Sequence, residues 1–347
     1  MLEEKNRELK QLSDLGEFAL IERLTADFTI DTGKTVLGVG DDAAVLTPSQ
    51  SETIITTDML CEGVHFNPNY TSLRHLGYKA VAVNVSDICA MNAIPSHILV
   101  SIAASARFTV EALDELYAGI KIACDSYKID LVGGDTVSSR SGLVISVTAL
   151  GHAQAHGIVK RSGAADKELL VVSGDLGSAY FGLQVLEREN ISLQSNPQHQ
   201  PDLEPYDYII QRQMKPEARL DIVHLLNALD VVPTAMIDVS DGLASEVLHL
   251  AKNSGVGFVI YEEKLPMDHQ VIDTAEEFGI NPVTAVLSGG EDYELLFTIK
   301  QEDFEKIKGN PHLTVIGHAS SDTSSYLVTK DNQTIELTAM GWDNFDE

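Results

Sequence analysis

The chain has 347 residues, of which 44% are hydrophobic, so it can form two domains, or one large one, around a full core. Its 52 acidic and 24 basic residues give a formal net charge of −28, which argues against a basic groove for nucleic acid. No apolar run is long enough to span a membrane, so we expect neither a nucleic-acid nor a membrane partner.

The N-terminus and the cysteines indicate a cytoplasmic protein. The first ten residues are charged from Glu3 onward, so we expect no signal peptide. Cys61, Cys89 and Cys124 are odd in number and widely spaced. This spacing fits neither a disulfide framework nor a zinc site, and it suits a reducing compartment.

The first half of the chain alternates helical and strand patterns. Leu2 to Leu24 has an amphipathic pattern, and two short strands follow that are predicted to end at Asp41 and at Asp58. The later elements of this half are predicted as a helix, a strand, a helix and two strands, over Ser72 to Ala93, Ile98 to Ile102, Thr109 to Tyr127, Ile129 to Val132 and Leu143 to Leu150.

The composition shifts to small residues and His between Gly151 and Gly157, where we place a domain boundary. The second half is predicted to alternate strands and helices around one long surface loop, Asn190 to Pro205. Its elements are a strand over Glu168 to Ser173, helices over Ser178 to Glu189, Glu217 to Leu229, Asp241 to Ser254 and Asp268 to Phe278, and further strands over Thr234 to Ile237, Val256 to Tyr261 and Tyr293 to Ile299. We therefore expect an α/β fold of mixed α and β elements in two domains, 1–152 and 153–347.

Five predicted strand or helix edges carry Asp beside Gly, Ser or Thr. They contain Asp41 with Asp42, Asp58, Asp87, Asp135, and Asp238 with Asp241. Taken singly, each Asp is more typical of a helix cap or a turn. Two carboxylates about 4 Å apart repel by roughly 4 kcal/mol at an effective dielectric near 20, so a group of them requires a cation. Oxygen-only ligands favour Mg²⁺ or Ca²⁺ over zinc.

Asp87 is the most unusual of these residues. It lies on the stripe of the predicted helix Ser72 to Ala93 that otherwise carries apolar residues such as Leu76 and Val83. A charge in that position is costly unless it is paired or bound to a metal.

Common nucleotide-binding loops are missing from the sequence, because neither a Walker A loop nor a dinucleotide fingerprint is present. The segment Gly174 to Gly177 can offer backbone N–H groups to a phosphate, and it fits an ordinary tight turn equally well. Arg161 is suited to bidentate phosphate binding, and a surface role fits equally. His65 could contact a substrate, although a lone His in a loop is more typical of polar surface.

These motifs together resemble the thiamine-monophosphate kinase family, from Gly16 almost to the end of the chain. The matching segments, in chain order, are Val39 to Ala44, Thr56 to Asp58, Glu62 to Phe66, Val83 to Asp87, Gly133 to Thr136, Arg161 to Gly163, Ile237 to Gly242, Ser288 to Leu295 and Gly341 to Phe345. One segment alone would be weak evidence, whereas all of them in this order are highly specific.

The resemblance implies an enzyme that phosphorylates thiamine monophosphate to thiamine diphosphate with ATP, by direct in-line transfer assisted by several Mg²⁺ ions. It also implies the fold of aminoimidazole ribonucleotide synthetase and selenophosphate synthetase. In that fold the N-terminal domains, each with a mixed sheet, pair into a homodimer, and the metal and ATP site lies between the two domains of each chain.

The resemblance also assigns roles to residues. The metal ligands it implies are Asp42, Thr56, Thr57, Asp58, Asp87, Asp135, Asp238 and Asp241, of which Asp42, Asp58, Asp87 and Asp135 are expected to be catalytic. The implied ATP contacts are Gly134, Asp135, Arg161 and Ser240, and the implied substrate contacts are His65, Glu291 and Trp342.

Two alternatives stay open at this point. The first is another synthetase of the same fold, although the first forty residues lack the Cys of selenophosphate synthetases. The second is a sensor that binds ATP and metal without turnover. One departure from the family pattern is Asn92, which stands where Gly is usual and which tolerates a left-handed backbone better than most residues.

Overall fold

The structure is a computed structural model that describes residues 10, 17–30, 33–37, 39, 44–46, 51–198 and 200–338. The chain forms two compact units. The first contains the described parts of Met1–Gln50 together with Ile55–Asn84 and Pro95–Gly151, and the second contains Ser51–Ile54, Val85–Ile94 and the described parts of His152–Glu347.

The first unit is built around a four-stranded sheet in the order β3-β6-β4-β5, beside a two-stranded sheet of β1 and β2. Strands β4 and β5 run parallel, with Ser101 opposite Asp135. The described elements up to residue 153 are α1 (Glu17–Thr25), β1 (Thr35–Leu37), β2 (Val45–Leu46), β3 (Glu52–Cys61), α2 (Leu73–Ala90), β4 (Ile94–Ser105), α3 (Val110–Tyr127), β5 (Asp130–Ser139) and β6 (Leu143–Ala153).

Helices α2 and α3 bury their apolar residues. Leu76 on α2 and Leu113 and Ile120 on α3 are almost completely buried. Thr109 caps α3, because its side chain accepts a hydrogen bond from the amide of Ala112 at 3.3 Å.

Two strands of this sheet are longer than the sequence predicts. β3 continues through Asp58 to Cys61, and β5 continues through Asp135 to Ser139. The prediction that these two Asp residues end their strands is therefore wrong. The ladder that pairs β5 with β4 extends along the whole of β5, and this pairing outweighs the low strand propensity of Gly and Asp.

The second unit contains a seven-stranded mixed sheet in the order β13-β12-β9-β11-β7-β10-β8. All neighbours pair antiparallel except β12 and β9, which run parallel. The described elements are β7 (Leu169–Ser173), α4 (Ser178–Ser195), α5 (Asp207–Met214), α6 (Leu220–Ala228), β8 (Ala235–Asp238), α7 (Leu243–Ser254), β9 (Gly257–Tyr261), α8 (His269–Phe278), α9 (Pro282–Ser288), β10 (Leu295–Ile299), α10 (Phe304–Ile307), β11 (Leu313–Ser320), β12 (Tyr326–Val328) and β13 (Thr334–Glu336).

Two apolar clusters hold this unit together. The sheet packs on α7 through buried residues such as Ile237, Val247 and Phe258. A second cluster, which includes Phe181 and Ile209, joins α4 and α5 to α8. The ends of β7, β8 and β10 are thereby held in a fixed register beside the loops that follow them.

The predicted surface loop Asn190 to Pro205 is wrong in its first third, because α4 continues to Ser195. The Gln, Asn and Ser residues there resemble a loop, but their helix propensity is only slightly below average. Helix α4 packs against α5 and α8, but its last turn, Ile191 to Ser195, is mostly exposed. Within the described residues, no helix is both long enough and apolar enough to cross a membrane.

Candidate functional site

On β3, the residues predicted to bind metal lie on both faces of the strand. Thr56 and Asp58 share one face, and Thr57 lies on the other with Ile55 and Met59, because side chains alternate along a strand. The Thr57 hydroxyl donates to the carbonyl of Val147 on β6 at 3.0 Å. Thr57 is therefore oriented toward the neighbouring strand, whereas Thr56 and Asp58 form a pair of oxygen donors.

Helix α2 fixes the backbone at Asp58. The amide of Asp58 donates to Oδ1 of Asn84 at 2.9 Å, and Nδ2 of Asn84 donates to the carbonyl of Ala80 at 3.0 Å. Asn84 is only 1% exposed. A buried side-chain amide that has partners at both ends holds the position of Asp58 along its strand.

Gly134 and Asp135 lie in the middle of β5. A Cβ atom on Gly134 would come within 1.8 Å of the carbonyl oxygen of Val100 on β4, so the sheet itself requires glycine there. Asp135 is exposed, and its Oδ1 accepts from the amide of Thr136 at 2.8 Å. Because β3 and β5 are the first and last strands of the four-stranded sheet, two strands separate Asp135 from Asp58 within this unit.

His65 belongs to the turn that follows β3. Its Nδ1 accepts a hydrogen bond from the amide of Cys61 at 3.0 Å, and the amide of His65 donates to the carbonyl of Cys61 at 2.9 Å. Neutral imidazole has one N–H group, so Nε2 carries the proton. His65 is therefore held in place as a hydrogen-bond donor at the end of β3.

In the second unit, Asp87 and Asp238 form a carboxylate pair. Asp238 is the last residue of β8, as the sequence predicts for a strand end, and it is 3% exposed. Burial raises its pKa most, the charge of Asp87 raises it further, and a hydrogen bond from Ser86 opposes the shift. Ser86 is fully buried and donates to Oδ2 of Asp238 at 2.6 Å. A pair of this kind favours a bound cation, because the cation removes the repulsion.

The loop after β8 is held by a buried glutamate. Oε1 of Glu246, on α7, accepts from the amides of Ser240 at 3.2 Å and Asp241 at 2.8 Å. Burial raises the pKa of Glu246 to about 7. Burial also raises the pKa of Asp241, and the charges of His249 and Arg161 lower it. Arg161 is therefore close enough to Asp241 for its charge to act on that carboxyl group.

The loop Gly289–Tyr293 carries Glu291 and is joined to the β8 loop by backbone hydrogen bonds. The amide of Glu291 donates to the carbonyl of Ser240 at 2.7 Å, and the amide of Tyr293 donates to the carbonyl of Val239 at 2.8 Å. The residues predicted to contact ATP and substrate, Ser240 and Glu291, are thus adjacent.

The segment Gly174 to Gly177 forms a tight turn whose amides have partners inside the protein. Gly177 has a positive φ of 84°, and its amide donates to Oδ2 of Asp292 at 2.8 Å. The amide of Ala179 donates to Oδ1 of the same carboxylate at 3.5 Å. This arrangement favours the turn interpretation over phosphate binding.

Two predicted site residues, Asp42 and Trp342, lie outside the described residues. In the described part of either unit, no group of three or more His, Cys, Asp or Glu side chains comes together as a potential metal cage. The predicted site residues are therefore arranged as small groups on Thr56 to Asp58, on Asp135, on Asp87 with Asp238, and on Asp241.

Three residues hold these groups in place through hydrogen bonds that the sequence does not predict. They are Asn84, which bonds Asp58, Ser86, which bonds Asp238, and Glu246, which bonds the β8 loop. Asn84 and Ser86 stand on the apolar helix α2, where buried polar residues require partners. That signal was visible in the sequence, but it does not identify the partners.

Several known proteins similar to this chain are thiamine-monophosphate kinases. A family model described as AIR synthase related protein, N-terminal domain, matches residues 40–153. The thiamine-monophosphate kinase of Bacillus subtilis is 36% identical over 95% of this chain and 100% of its own length.

Two solved structures are also similar to nearly the whole of this chain. AaThiL complexed with AMPPCP and TMP superposes with a TM-score of 0.74 at 33% identity, covering 98% of this chain and 100% of that one. Thiamine-monophosphate kinase from Stenotrophomonas maltophilia superposes with a TM-score of 0.79 at 29% identity, covering 92% and 98%. The chain therefore belongs to the thiamine-monophosphate kinase family.

Proposed function

We propose that this enzyme transfers the γ-phosphoryl group of ATP to the phosphate of thiamine monophosphate and so makes thiamine diphosphate. The observation that carries the proposal is the carboxylate pair Asp87 and Asp238, in a chain that aligns over the full length of a thiamine-monophosphate kinase. A relative solved with AMPPCP, an ATP analogue, and TMP supports both substrates.

We propose Mg²⁺, in several ions, as the metal. The residues proposed to hold it are Asp42, Thr56, Asp58, Asp87, Asp135, Asp238 and Asp241, whereas Thr57, on the other face of β3, is left out because its hydroxyl bonds the Val147 carbonyl. This donor set is all oxygen, as Mg²⁺ requires, and the buried Asp238 beside Asp87 fits a cation. When bound, Mg²⁺ supplies neutralisation between two phosphate groups that otherwise repel one another.

The residues of this chain then bind and orient the two substrates. Gly134, Asp135, Arg161 and Ser240 are the proposed ATP contacts, and Arg161 suits phosphate oxygens because its guanidinium is a planar, charged donor. His65, Glu291 and Trp342 are the proposed contacts to thiamine monophosphate. The acceptor oxygen belongs to a phosphate that is already ionised, so no strong general base is needed for the attack.

We also propose that the enzyme works as a homodimer in the cytoplasm. On β3, Ile55 is 64% exposed and Met59 is 54% exposed, and Val137 on β5 is 51% exposed. Apolar side chains on a sheet face favour pairing with a second copy. Sedimentation equilibrium tests the dimer, and Met59→Glu should shift the enzyme toward a monomer because it places a charge on that face.

A substrate panel tests the proposed reaction. Purified enzyme is incubated with ATP and Mg²⁺ plus one acceptor, which is thiamine monophosphate, thiamine, formylglycinamidine ribonucleotide or selenide. We expect product only with thiamine monophosphate. Turnover of formylglycinamidine ribonucleotide or of selenide would favour the other synthetases of this fold, and ATP binding without turnover of any acceptor would favour a sensor.

A further inference from the structure

The loop Gly289–Tyr293 has an unusual backbone. Gly290, Glu291 and Tyr293 all have positive φ, at 67°, 59° and 53°. Side chains other than Gly, Asn or Asp rarely adopt this region, so the two non-glycine residues need surrounding contacts to hold them there. Glu291, the proposed substrate contact, thus depends on whatever fixes the loop.

Arg212 on α5 bonds the loop and the interior at the same time. Its Nη2 donates to the carbonyl of Asp292 at 3.1 Å and to Oε1 of the buried Glu294 at 2.8 Å. The same nitrogen approaches the carbonyl of Asp175, in the turn before α4, at 3.4 Å. The Asp292 carboxylate, one residue from Glu291, bonds the amide of Gly177 from the other side.

Arg219 provides an internal comparison. It donates through Nη1 to Oε2 of the same Glu294 carboxylate, and its side chain is 11% exposed against 12% for Arg212. Through Nε and Nη2 it donates to the side chain of Asp221, so it supports the ion pair without bonding the loop backbone. The two arginines differ in their contact with Asp292.

We propose that Arg212 is a positioning residue, which sets the conformation of Glu291 and thereby the affinity for thiamine monophosphate. This inference rests on the proposed function, because it takes Glu291 as a substrate contact. Arg212 acts through the Asp292 carbonyl and not through the ligand itself.

The ATP side of the site should respond much less. Ser240 and Asp241 are held by Glu246 on α7, through bonds that do not involve Arg212. Loss of Arg212 therefore releases the Glu291 loop while the β8 loop keeps its own support. A selective effect on one substrate is the expected signature.

The test compares Arg212→Met with Arg219→Met in the full-length enzyme. Each variant removes one cation from Glu294, so both should lower Tm by similar amounts. Amide hydrogen exchange reads the loop without any substrate. Protection of the Glu291 and Tyr293 amides should fall in Arg212→Met and persist in Arg219→Met. If a Met variant fails to fold, the same comparison is made between Arg212→Lys and Arg219→Lys.

Calorimetric titration measures the consequence for binding. We expect Arg212→Met to raise Kd for thiamine monophosphate about tenfold and to leave Kd for ATP within about twofold, a difference near 1 kcal/mol. Arg219→Met should leave both constants within about twofold. In a Glu291→Gln background, the effect of Arg212→Met on Kd should disappear, because both substitutions act on the same contact.

Equal loss of protection in the two variants, or fully additive effects with Glu291→Gln, would overturn the positioning role. These results are distinguishable from failure of the proposed function, which would appear as wild-type enzyme that does not bind thiamine monophosphate. In that case the substrate claim falls with the inference. If wild type binds and Arg212→Met binds equally well, the inference falls alone.

Discussion

At the scale of single residues, Asp87 and Asp238 are two like charges of which one is buried. Asp87 raises the pKa of the buried Asp238, and the Ser86 hydroxyl only partly compensates. A fold that needed only stability would favour a neutral side chain beside a buried carboxylate. This cost is the physical basis of the metal role proposed for the pair.

Asp87→Asn should lower turnover by about 10²- to 10³-fold, the usual cost of losing one group that stabilises transition-state charge. In chelator, its Tm should equal or exceed that of wild type, because a like charge next to Asp238 is gone. A kinase assay and a melting curve by circular dichroism measure the two effects. Asp273→Asn, an exposed carboxylate on α8, serves as the control and should change neither. Near-normal turnover in Asp87→Asn would remove this residue from the proposed metal ligands.

Asn92 tests the expectation from the sequence that Asn tolerates a left-handed backbone at this position. Its φ is 55°, in the left-handed region, and its Nδ2 donates to the carbonyl of Gly157 at 2.9 Å. Asn92→Ala should lower the free energy of unfolding by about 1–2 kcal/mol, because Ala tolerates this region poorly. Asn92→Gly should stay within about 1 kcal/mol of wild type, since relief of strain offsets the lost hydrogen bond. Urea unfolding of both variants measures the difference, and equal stability of the two would refute the backbone explanation.

At the scale of elements, local patterns predict most helices and strands to within a few residues, and the largest errors are at the ends of β5 and α4. The pattern from Thr109 onward predicts α3 to within a residue, because a cap and an apolar stripe are local features. The extension of β5 through Gly133 to Asp135 depends on β4, which lies about thirty residues away in sequence. The continuation of α4 to Ser195 has a local explanation, because its last turn is mostly exposed and its Gln, Asn and Ser residues still permit a helix.

Asp292, whose carboxylate bonds the amide of Gly177 just before α4, leads to a prediction of how folding stability depends on pH. Burial raises the pKa of this carboxyl from 3.8 to about 7, opposed by Arg212 and by the Gly177 amide and assisted by the charges of Asp175 and Glu294. The raised pKa means that the folded state holds the proton more tightly than the unfolded state. Stability is therefore fully present below about pH 4 and is lost as pH rises toward 7.

We expect wild type in chelator to lose stability to urea between about pH 4 and pH 7, and Asp292→Asn to lose less over the same range. Asparagine cannot ionise, so its burial costs the same at every pH. Asp273→Asn should follow wild type. An identical pH dependence in wild type and Asp292→Asn would contradict the assignment of the effect to Asp292.

At the scale of the whole molecule, the sequence alone indicates the class of reaction but not the arrangement of the site. The Asp segments predict metal-assisted chemistry, and each of them can be recognised from a few adjacent residues. The chain's division, in which Val85–Ile94 joins the unit of His152–Glu347, depends on contacts between distant segments. The same is true of the link between Ser240 and Glu291, which unites two loops about fifty residues apart.

The melting temperature should depend on metal and nucleotide together. The formal charge of −28 and the Asp87–Asp238 pair both favour a folded state that has bound cations. A ligand at 100 times its Kd stabilises by about 2.7 kcal/mol, so Mg²⁺ with ATP should raise Tm by several degrees over chelator. Scans in chelator, in Mg²⁺ and in Mg²⁺ with ATP measure this. Three identical curves would contradict the proposed metal site.

The most direct measurement follows the γ-phosphoryl group itself. The enzyme is incubated with ATP labelled at the γ-phosphorus, thiamine monophosphate and either Mg²⁺ or chelator, and the products are separated by chromatography. Direct transfer predicts label in the terminal phosphate of thiamine diphosphate, one equivalent per ADP formed, in Mg²⁺ and not in chelator. Label released only as free phosphate, with thiamine monophosphate unchanged, would contradict the kinase assignment.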